Sequence, residues 1–320
     1  MEEKSDLTPT TAGEPSMKTT SFLKKARDSH GRKVINQYVF VEEIGEGTYS
    51  KVKKCFDTEK CVYRAMKIMD KHRLHRKYIG EGKTALQDVM REVEILGGLS
   101  HHPNIITLYE VIDDKPAAPT GKMYLIFDYV DGGPMMDGDD EVMHPVSESV
   151  ARVWFSHICS GLHFLHANKI AHRDLKPENL LVSVDGVVKI ADFSVADTFE
   201  SADGSCRTVG TPAFWAPEIC SGDHYRAALT DIWAIGITLY MMIYGTVPFQ
   251  ASNLMQLSDR IQNQDLEFPT EPRGVSEDLK LLLLGILDKD PNCRMSLIDI
   301  MSHQWMTGEE GKVTRSPSDM

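Results

Sequence analysis

One short stretch, residues 170–182, constrains the fold of this chain more than any other. Its central positions carry four polar side chains, those of Asp174, Lys176, Glu178 and Asn179. Apolar runs at 179–184 and 187–190 flank Asp185-Gly186, a dipeptide typical of a tight hairpin. Asp192 follows the second run, so a hairpin would bring polar groups to the ends of paired strands. The oxygens of Asn179 and Asp192 are hard ligands that suit Mg²⁺.

Length and composition set the broad class. The chain has 320 residues, 42% hydrophobic and 26% charged, which is ordinary for one large or two medium globular domains. Its formal net charge of −12 argues against nucleic-acid or membrane partners. The most apolar run, 232–244, is too short to span a bilayer and predicts a buried helix.

The cysteines and the N-terminus indicate the compartment. The 6 cysteines contain no CxxC pair, and the N-terminus carries no secretory hydrophobic region. We therefore expect reduced thiols and a cytoplasmic protein, or one shared between cytoplasm and nucleus.

Polar composition predicts flexible segments at both ends, 1–37 and 307–320. The first segment contains a basic cluster, for which we favour a solvated leader over a docking site. The cluster consists of Lys18, Lys24, Lys25, Arg27, Arg32 and Lys33.

A strand pattern at 38–41 leads into a glycine-rich hairpin. Gly45 and Gly47 would let backbone N–H groups approach phosphates closely, with the small Ser50 at a third position. Alone this is weak, because any tight hairpin can look the same. Val52 after the hairpin and Lys67 on the next strand pattern strengthen the interpretation.

A capping box at Thr84 predicts a helix. We expect its buried face to contain Leu86, Val89, Met90, Val93 and Leu96. Glu92 lies at the polar edge of that face and is the candidate partner of Lys67. Glu94 is the alternative, two positions on and so pointing elsewhere.

Further strands are predicted at 105–112 and 123–130, and the remainder is predicted to be helical. A long helix capped by Ser147 would bury Val150, Val153, Trp154, Ile158, Leu162 and Leu165 and end at Asn168. Later helices are predicted at 230–244, 253–263, 276–287 and 296–303.

Together, the catalytic-type stretch, Asp192-Phe193, the glycine hairpin and Lys67 resemble the signature set of eukaryotic-type protein kinases. The resemblance covers about residues 38–306. It implies an α+β, bilobal protein-kinase fold, with a small β-rich N-lobe carrying one regulatory helix (38–130) and a larger, mainly helical C-lobe (131–306). Lys176, two residues after Asp174, resembles the serine/threonine-directed branch.

The resemblance implies ATP and Mg²⁺ as cofactors and assigns roles within this sequence. Asp174 would orient the acceptor hydroxyl, Lys176 would meet the moving phosphoryl group, and Asn179 and Asp192 would hold magnesium. Lys67 would pair with the phosphates and with Glu92. The implied nucleotide contacts are Ile44, Gly45, Glu46, Gly47, Thr48, Tyr49, Ser50, Val52, Ala65, Lys67, Phe127, Asp128, Val130, Leu181 and Asp192.

Structural roles follow from the same resemblance. Glu218 is expected to pair with Arg294, while Asp231 and Trp233 would anchor the catalytic loop.

Besides Ser50, which replaces the third glycine of the hairpin, three positions depart from the family pattern. Ser194 replaces the glycine of Asp-Phe-Gly, which we interpret as restricting loop flipping without loss of activity. Pro134 stands where many relatives have a carboxylate, so Asp131 or Asp137 would have to substitute. Arg207 occupies the usual phosphothreonine position with Thr208 one residue later, so we expect activity without loop phosphorylation.

Three stretches, 84–96, 127–136 and 208–214, look like the calcium/calmodulin-dependent protein kinase kinases and their plant and fungal relatives. That group phosphorylates the activation-loop threonine of AMP-activated/SNF-type kinases, so another kinase is the expected protein substrate. Calmodulin binding is not expected, because no basic amphipathic helix follows Met306, unless the basic cluster of the first segment serves it.

Two rival classes make distinguishable predictions. A catalytically impaired kinase-fold scaffold would usually lack Lys67, Asp174 or Asp192, and all three are present. A small-molecule kinase would lack the peptide-docking segment 210–218.

Overall fold

The computed structural model describes residues 17–47, 50–79, 83–113, 115–136, 143–199, 209–222, 224–270 and 274–308. The chain forms two compact units. The amino-terminal unit comprises Met1–Thr84, Gly97–His101 and Thr107–Tyr129. The carboxy-terminal unit comprises Ala85–Leu96, His102–Ile106 and Val130–Met320.

The amino-terminal unit is built on a sheet of eight strands among its described residues, in the order β1-β7-β8-β6-β5-β4-β3-β2. The strands are β1 Lys18–Thr20, β2 Lys25–Arg27, β3 Lys33–Ile35, β4 Tyr38–Glu46, β5 Ser50–Asp57, β6 Val62–Asp70, β7 Leu108–Ile112 and β8 Lys122–Asp128. Consecutive strands β2 to β6 pair antiparallel through short connections, as hairpins do. Helix α1, Lys71–Arg76, follows β6 and is capped by the Asp70 side chain.

Residues 18–35 differ from the flexible segment that the sequence predicted, because they form β1 to β3. Strand β1 pairs parallel with β7, and the Thr20 hydroxyl donates to the buried Glu110 carboxylate. Ile35 lies in the buried core, and Leu23 packs against the same cluster. A few well-placed apolar side chains and one buried polar contact therefore order a segment whose average composition is polar.

The carboxy-terminal unit is mainly helical. Its helices are most of α2 Ala85–Gly98, then α3 Glu148–Ala167, α4 Pro217–Ser221, α5 Ala227–Tyr244, α6 Leu254–Asn263, α7 Glu277–Ile286, α8 Leu297–Ser302 and α9 Gln304–Thr307. The side chains of Ser147, Asn253, Ser276 and Ser296 cap α3, α6, α7 and α8. These four helices begin at the predicted positions because each start is encoded by a capping side chain.

Residues 85–96 and 102–106 belong to the carboxy-terminal unit, although the predicted lobe boundary placed them with the sheet. The Asn104 side chain donates to the Val188 carbonyl at 3.0 Å, and the Ile106 N–H donates to the Ile190 carbonyl at 2.9 Å. Long-range backbone pairing therefore overrides the order of segments along the chain.

The predicted buried faces of two helices are partly wrong. Met90 of α2 is 50% exposed, whereas Ile95 is buried. In α3, Val150 and Val153 are exposed, and the buried face contains Ala151 and Phe155 instead. The predicted stripe is therefore out of phase in the first two turns of α3 and correct from Ile158 onward, where Leu162 and Leu165 are also buried.

Helix α5 is buried nearly all round. It is longer than the predicted run and passes a test of length and composition for a membrane span, but 83% of it is buried inside the protein. A core helix of a globular unit passes the same test. Gly245, with φ of 78°, ends it in the left-handed conformation.

Candidate active site

The predicted hairpin forms the base of the site in the carboxy-terminal unit. Strands β10 Leu180–Val182 and β11 Val188–Ile190 pair antiparallel, and Gly186 has a φ of 79° in the turn. The Ala191 N–H donates to the Asn179 carbonyl at 2.9 Å, which continues the ladder. Asn179 and the residue before Asp192 are therefore neighbours across the hairpin.

His157 of α3 holds β11 through a hydrogen bond to its backbone. The Val188 N–H donates to its Nδ1 at 3.4 Å. Burial lowers the pKa of His157, which favours the neutral ring that can accept this hydrogen bond.

Asp174 is the centre of a small hydrogen-bonded cluster. Its Oδ1 accepts from the N–H and from the hydroxyl of Thr211, both at 2.9 Å. Lys176 Nζ donates to the Thr211 hydroxyl at 2.8 Å and lies 3.5 Å from Asp174 Oδ2. Asn179 Nδ2 donates to the Asp174 carbonyl at 2.8 Å and to Oδ2 at 3.1 Å. Three predicted site residues are thus held together, and their side chains are fixed in position.

Gly210 makes the close approach of Thr211 possible. It has a φ of 85°, and a Cβ atom there would lie 2.5 Å from the Arg173 carbonyl oxygen and 3.3 Å from Asp174 Oδ1. Glycine is therefore required here by both backbone angle and space.

Asn179 and Asp192 fit a magnesium site by the chemistry of their atoms. The side-chain nitrogen of Asn179, Nδ2, donates to Asp174. The side-chain oxygen, Oδ1, is therefore the atom that could coordinate a cation. Asp192 has a φ of 59°, a conformation uncommon for a residue with a side chain. Both supply oxygen ligands of the type that Mg²⁺ prefers.

Asp231 of α5 holds the backbone of the catalytic loop. Its buried carboxylate accepts from the N–H groups of His172 at 2.9 Å and Arg173 at 2.8 Å, and it lies 3.0 Å from His166 Nε2. A buried carboxylate needs such donors, and here they fix the two residues before Asp174. Trp233, the other predicted anchor, is fully buried in the same helix.

Ser194 sits in the loop without strain. Phe193 is buried and packs edge-on against His172, with ring centroids 5.0 Å apart. Ser194 is exposed, is absent from the described residues with positive φ, and its N–H donates to Asp192 Oδ1 at 3.4 Å. The conformation present therefore makes no use of the freedom of a glycine.

Glu218 and Arg294 form the predicted pair. Nη1 and Nη2 of Arg294 donate to the two carboxylate oxygens at 2.7 and 2.9 Å, and Arg294 also donates to the Leu229 and Asp288 carbonyls. This bidentate pair anchors the start of α4.

In the amino-terminal unit, several predicted nucleotide contacts pair directly across neighbouring strands of the sheet. Gly45 pairs with Val52, Val52 with Lys67, and Lys67 with Leu125. Directly opposed residues share a face, so Val52 and Lys67 point to the same side, and Ala65 joins them two positions away. Ile44, Glu46, Gly47 and Ser50 lie at the adjoining ends of β4 and β5, whereas Thr48 and Tyr49 are outside the described residues.

The remaining predicted contacts lie near the end of β8 and on β10. Phe127 is buried and pairs with Ala65. The Asp128 side chain accepts from the Tyr109 hydroxyl at 2.7 Å, and its backbone N–H donates to the Thr107 carbonyl at 3.1 Å. In the carboxy-terminal unit, Val130 precedes a turn and Leu181 lies on β10, bridged to Pro134.

Of the two carboxylates suggested as substitutes at Pro134, Asp131 is already engaged. Its Oδ1 accepts from the Val184 N–H at 3.0 Å. Asp137 lies outside the described residues.

Exposure separates the two glutamates of α2. Glu92 is 2% exposed, whereas Glu94 is exposed. A buried glutamate needs a partner, whereas an exposed one is solvated by water. The pairing of Glu92 with Lys67 stays a prediction.

The sequence alone did not reveal two site residues. Thr211 joins Asp174 to Lys176, and Asp197 contacts Arg173. For Thr211, the Gly210-Thr211-Pro212 motif was a sequence signal. The position of Asp197 depends on pairing of its strand with β9, Ile170–Ala171, and no local sequence pattern predicts that pairing.

Comparison with known proteins agrees with this geometry. The protein kinase domain profile matches residues 38–306. The chain is 42% identical over 300 residues to serine/threonine-protein kinase GRIK2 of Arabidopsis thaliana, covering 93% of this chain and 72% of that protein. It is 37% identical to a calcium/calmodulin-dependent protein kinase kinase of Caenorhabditis elegans (93% and 58%) and 39% identical to serine/threonine-protein kinase ssp1 of Schizosaccharomyces pombe (90% and 45%). The chain thus spans about half the length of the latter two.

These matches and the observed sheet and helices confirm the predicted α+β kinase fold and the resemblance to this group of kinases. The chain belongs to the serine/threonine protein kinase family.

Proposed function

We propose that this kinase transfers the γ-phosphate of ATP to an activation-loop threonine of another protein kinase. The observation that carries the proposal is the cluster in which Asp174 and Lys176 meet at the Thr211 hydroxyl. Phosphoryl transfer depends mainly on positioning and charge neutralisation, and a pre-ordered carboxylate beside an ammonium supplies both.

Each residue has a chemical task in this proposal. Asp174 Oδ2 accepts a hydrogen bond from the substrate hydroxyl and orients it for attack. The ammonium group of Lys176 stabilises negative charge on the transferred group. Thr211 and Asn179 keep the Asp174 carboxylate in one orientation, so little reorganisation is needed during the reaction.

ATP and Mg²⁺ are the proposed cofactors. A bound magnesium ion would supply positive charge to neutralise the nucleotide phosphates. Asn179 Oδ1 and the Asp192 carboxylate would hold the metal, and Lys67 would bind the phosphates. Gly45, Gly47 and Ser50 would let backbone N–H groups approach the same phosphates, because none of them has a large side chain.

The relatives support the substrate class. The C. elegans relative is by name a kinase kinase, and 37% identity over 93% of this chain makes a similar substrate the first to test. The Thr211 segment would receive the substrate peptide, since it contacts both Asp174 and Lys176.

The basic cluster of the first segment is the alternative site that the sequence offers for calmodulin. Lys18, Lys25, Arg27 and Lys33 lie in strands β1 to β3. Calmodulin binds basic amphipathic helices, which these strands do not form.

The test is an assay with Mg-ATP and a catalytically inactive AMP-activated/SNF-type kinase domain. Phosphate should appear on the activation-loop threonine, and substitution of that threonine by alanine in the substrate should remove the signal. Asp174→Asn should slow transfer by at least about a hundredfold, while Asp185→Asn, a matched change in the hairpin turn, should retain the wild-type rate. Equal transfer by wild type and Asp174→Asn would identify a kinase-fold scaffold or a contaminating activity.

A further inference from the structure

Asp197 has a backbone position fixed by strand pairing. Strand β12, Asp197–Thr198, pairs antiparallel with β9, and Asp197 lies directly opposite Ala171. The Phe199 N–H donates to the Lys169 carbonyl at 2.9 Å, and the Ala196 N–H donates to the Phe193 carbonyl at 3.1 Å. The backbone of Asp197 is therefore fixed opposite Ala171, which is two residues before Arg173.

Its carboxylate lies between two arginines. Asp197 Oδ2 is 3.3 Å from Arg173 Nη1 and 3.3 Å from Arg91 Nη1. The Arg173 side chain is 5% exposed, whereas those of Arg91 and Asp197 are 39% and 40% exposed. One anionic oxygen thus serves a buried guanidinium and a half-exposed one.

The two arginines belong to elements that carry predicted site residues. Arg91 is on α2 immediately before Glu92, and Arg173 immediately precedes Asp174. The Arg173 N–H is fixed by Asp231 at 2.8 Å, so the arginine is rigidly linked to the catalytic loop. A group that binds both arginines joins helix α2 to that loop.

In many kinases a phosphorylated activation-segment residue provides the anion for an arginine at this place. We propose that Asp197 provides that anion here, as a positioning residue for the reaction under Proposed function, on which this inference rests. A carboxylate offers one negative charge and two acceptor oxygens, against nearly two charges and three oxygens for a phosphate. Asp197 holds Arg91 and Arg173 together, and the catalytic loop is ordered before any phosphorylation.

The expected effect is moderate because two of the three partners are half-exposed and screened by solvent. Substitutions in such coupling contacts change function by about twofold to thirtyfold. Asp197→Asn keeps the size and one acceptor oxygen while removing the charge. Asp185→Asn is the matched control: Asp185 has no ion pair within the described residues, and Asn-Gly suits the same turn.

The experiment uses the full chain, treated with phosphatase, in steady-state assays with Mg-ATP and the inactive kinase substrate. Asp197→Asn should lower kcat about tenfold with KM for ATP within about twofold, because positioning is lost and binding is retained. Asp197→Glu should restore part of kcat. Inorganic phosphate should raise the rate of Asp197→Ala, since a small anion can occupy the vacated place, and should not raise that of wild type or Asp185→Asn.

Amide hydrogen exchange gives a readout that needs no activity. Asp197→Asn should exchange faster than wild type and Asp185→Asn in α2 and in residues 170–174, with the rest of the chain unchanged. If wild type transfers no phosphate, the proposed function fails, but the hydrogen-exchange comparison still tests whether Asp197 holds Arg91 and Arg173. Unchanged exchange, or a kcat for Asp197→Asn within twofold of wild type, would overturn the role of Asp197.

Discussion

Two carboxylates of the carboxy-terminal unit each meet a buried arginine, and the two sites differ in what surrounds them. Glu218 meets Arg294 with two hydrogen bonds, at 2.7 and 2.9 Å, and the two side chains are 10% and 0% exposed. Asp197 meets Arg173 and Arg91 through one oxygen at 3.3 Å, and its side chain is 40% exposed.

Burial and geometry assign the two sites different work. A desolvated, bidentate pair is costly to break because either partner left alone is an uncompensated buried charge. A half-exposed, single-oxygen contact contributes little to stability but can bias the position of the elements it joins. We therefore expect Glu218–Arg294 to control folding and Asp197 to control activity.

The largest effect should come from Arg294→Leu. Glu218 would keep its charge in a buried place without a partner, and the free energy of unfolding should fall by about 3–5 kcal/mol. Urea denaturation followed by circular dichroism measures it. Arg226→Leu is the control, because Arg226 is exposed and, within the described residues, its side chain donates to Asn292; it should cost under about 0.5 kcal/mol. Equal losses in the two variants would remove the distinction between the sites.

Gly210→Ala tests whether the close approach of the Thr211 segment to Asp174 is needed for activity, in addition to the charges around the catalytic loop. The added Cβ would meet the Arg173 carbonyl at 2.5 Å, so the Thr211 segment must move away from Asp174. A displacement of about 1 Å can cost about a hundredfold in rate, and kcat/KM should fall by that order. Gly222→Ala has a similar φ of 76° with no atom within 4 Å of the added Cβ, so it should retain activity. Comparable activities for both variants would contradict the packing argument.

Arg91→Gln should separate activity from stability at the Asp197 site. Because Arg91 is half-exposed, the free energy of unfolding should change by less than about 1 kcal/mol. The rate should fall severalfold, since α2 loses its contact with Asp197. If Arg91→Gln loses as much stability as Arg294→Leu and keeps wild-type activity, the Asp197 site would control stability and not activity.

The smallest effect concerns pH near Arg294. Lys289 packs over Phe249 at 3.8 Å and near Trp233, and burial lowers its pKa to about 8. Between about pH 8 and its unfolded pKa of about 10.4, the unfolded chain holds a proton that the folded chain has lost, so stability rises with pH. Denaturation midpoints of wild type should therefore increase relative to Lys289→Met over this range. The cation–π contacts oppose the lowered pKa, and a flat difference would mean that they dominate.

Much of the fold was predictable because local chemistry encodes it. Ser147 and Ser276 cap helices as expected, and Asp185-Gly186 turns the predicted hairpin. Strand β1 was not predicted, because it is ordered by pairing with β7, about ninety positions away in sequence. Strands β2 and β3 pair locally, with each other and with β4, but their polar composition hid them. Distant backbone pairing leaves no periodic signal in a short polar segment.

The candidate site divides in the same way. Asp174, Lys176 and Asn179 lie within one stretch whose spacing carries the family pattern, and the structure brings them together. Thr211, held close by Gly210, contacts Asp174 and Lys176, and Asp197, placed by β12, contacts the neighbouring Arg173. Their roles depend on tertiary contacts, which sequence spacing alone does not encode.

The most direct test of the account is the single-turnover rate of phosphoryl transfer by phosphatase-treated enzyme at saturating Mg-ATP. Wild type and Asp185→Asn should react at similar rates, and Asp174→Asn should be slower by about a hundredfold to ten-thousandfold, the range expected for loss of a positioned acid–base group. Loss of wild-type activity on phosphatase treatment, or an Asp174→Asn rate equal to that of wild type, would contradict it.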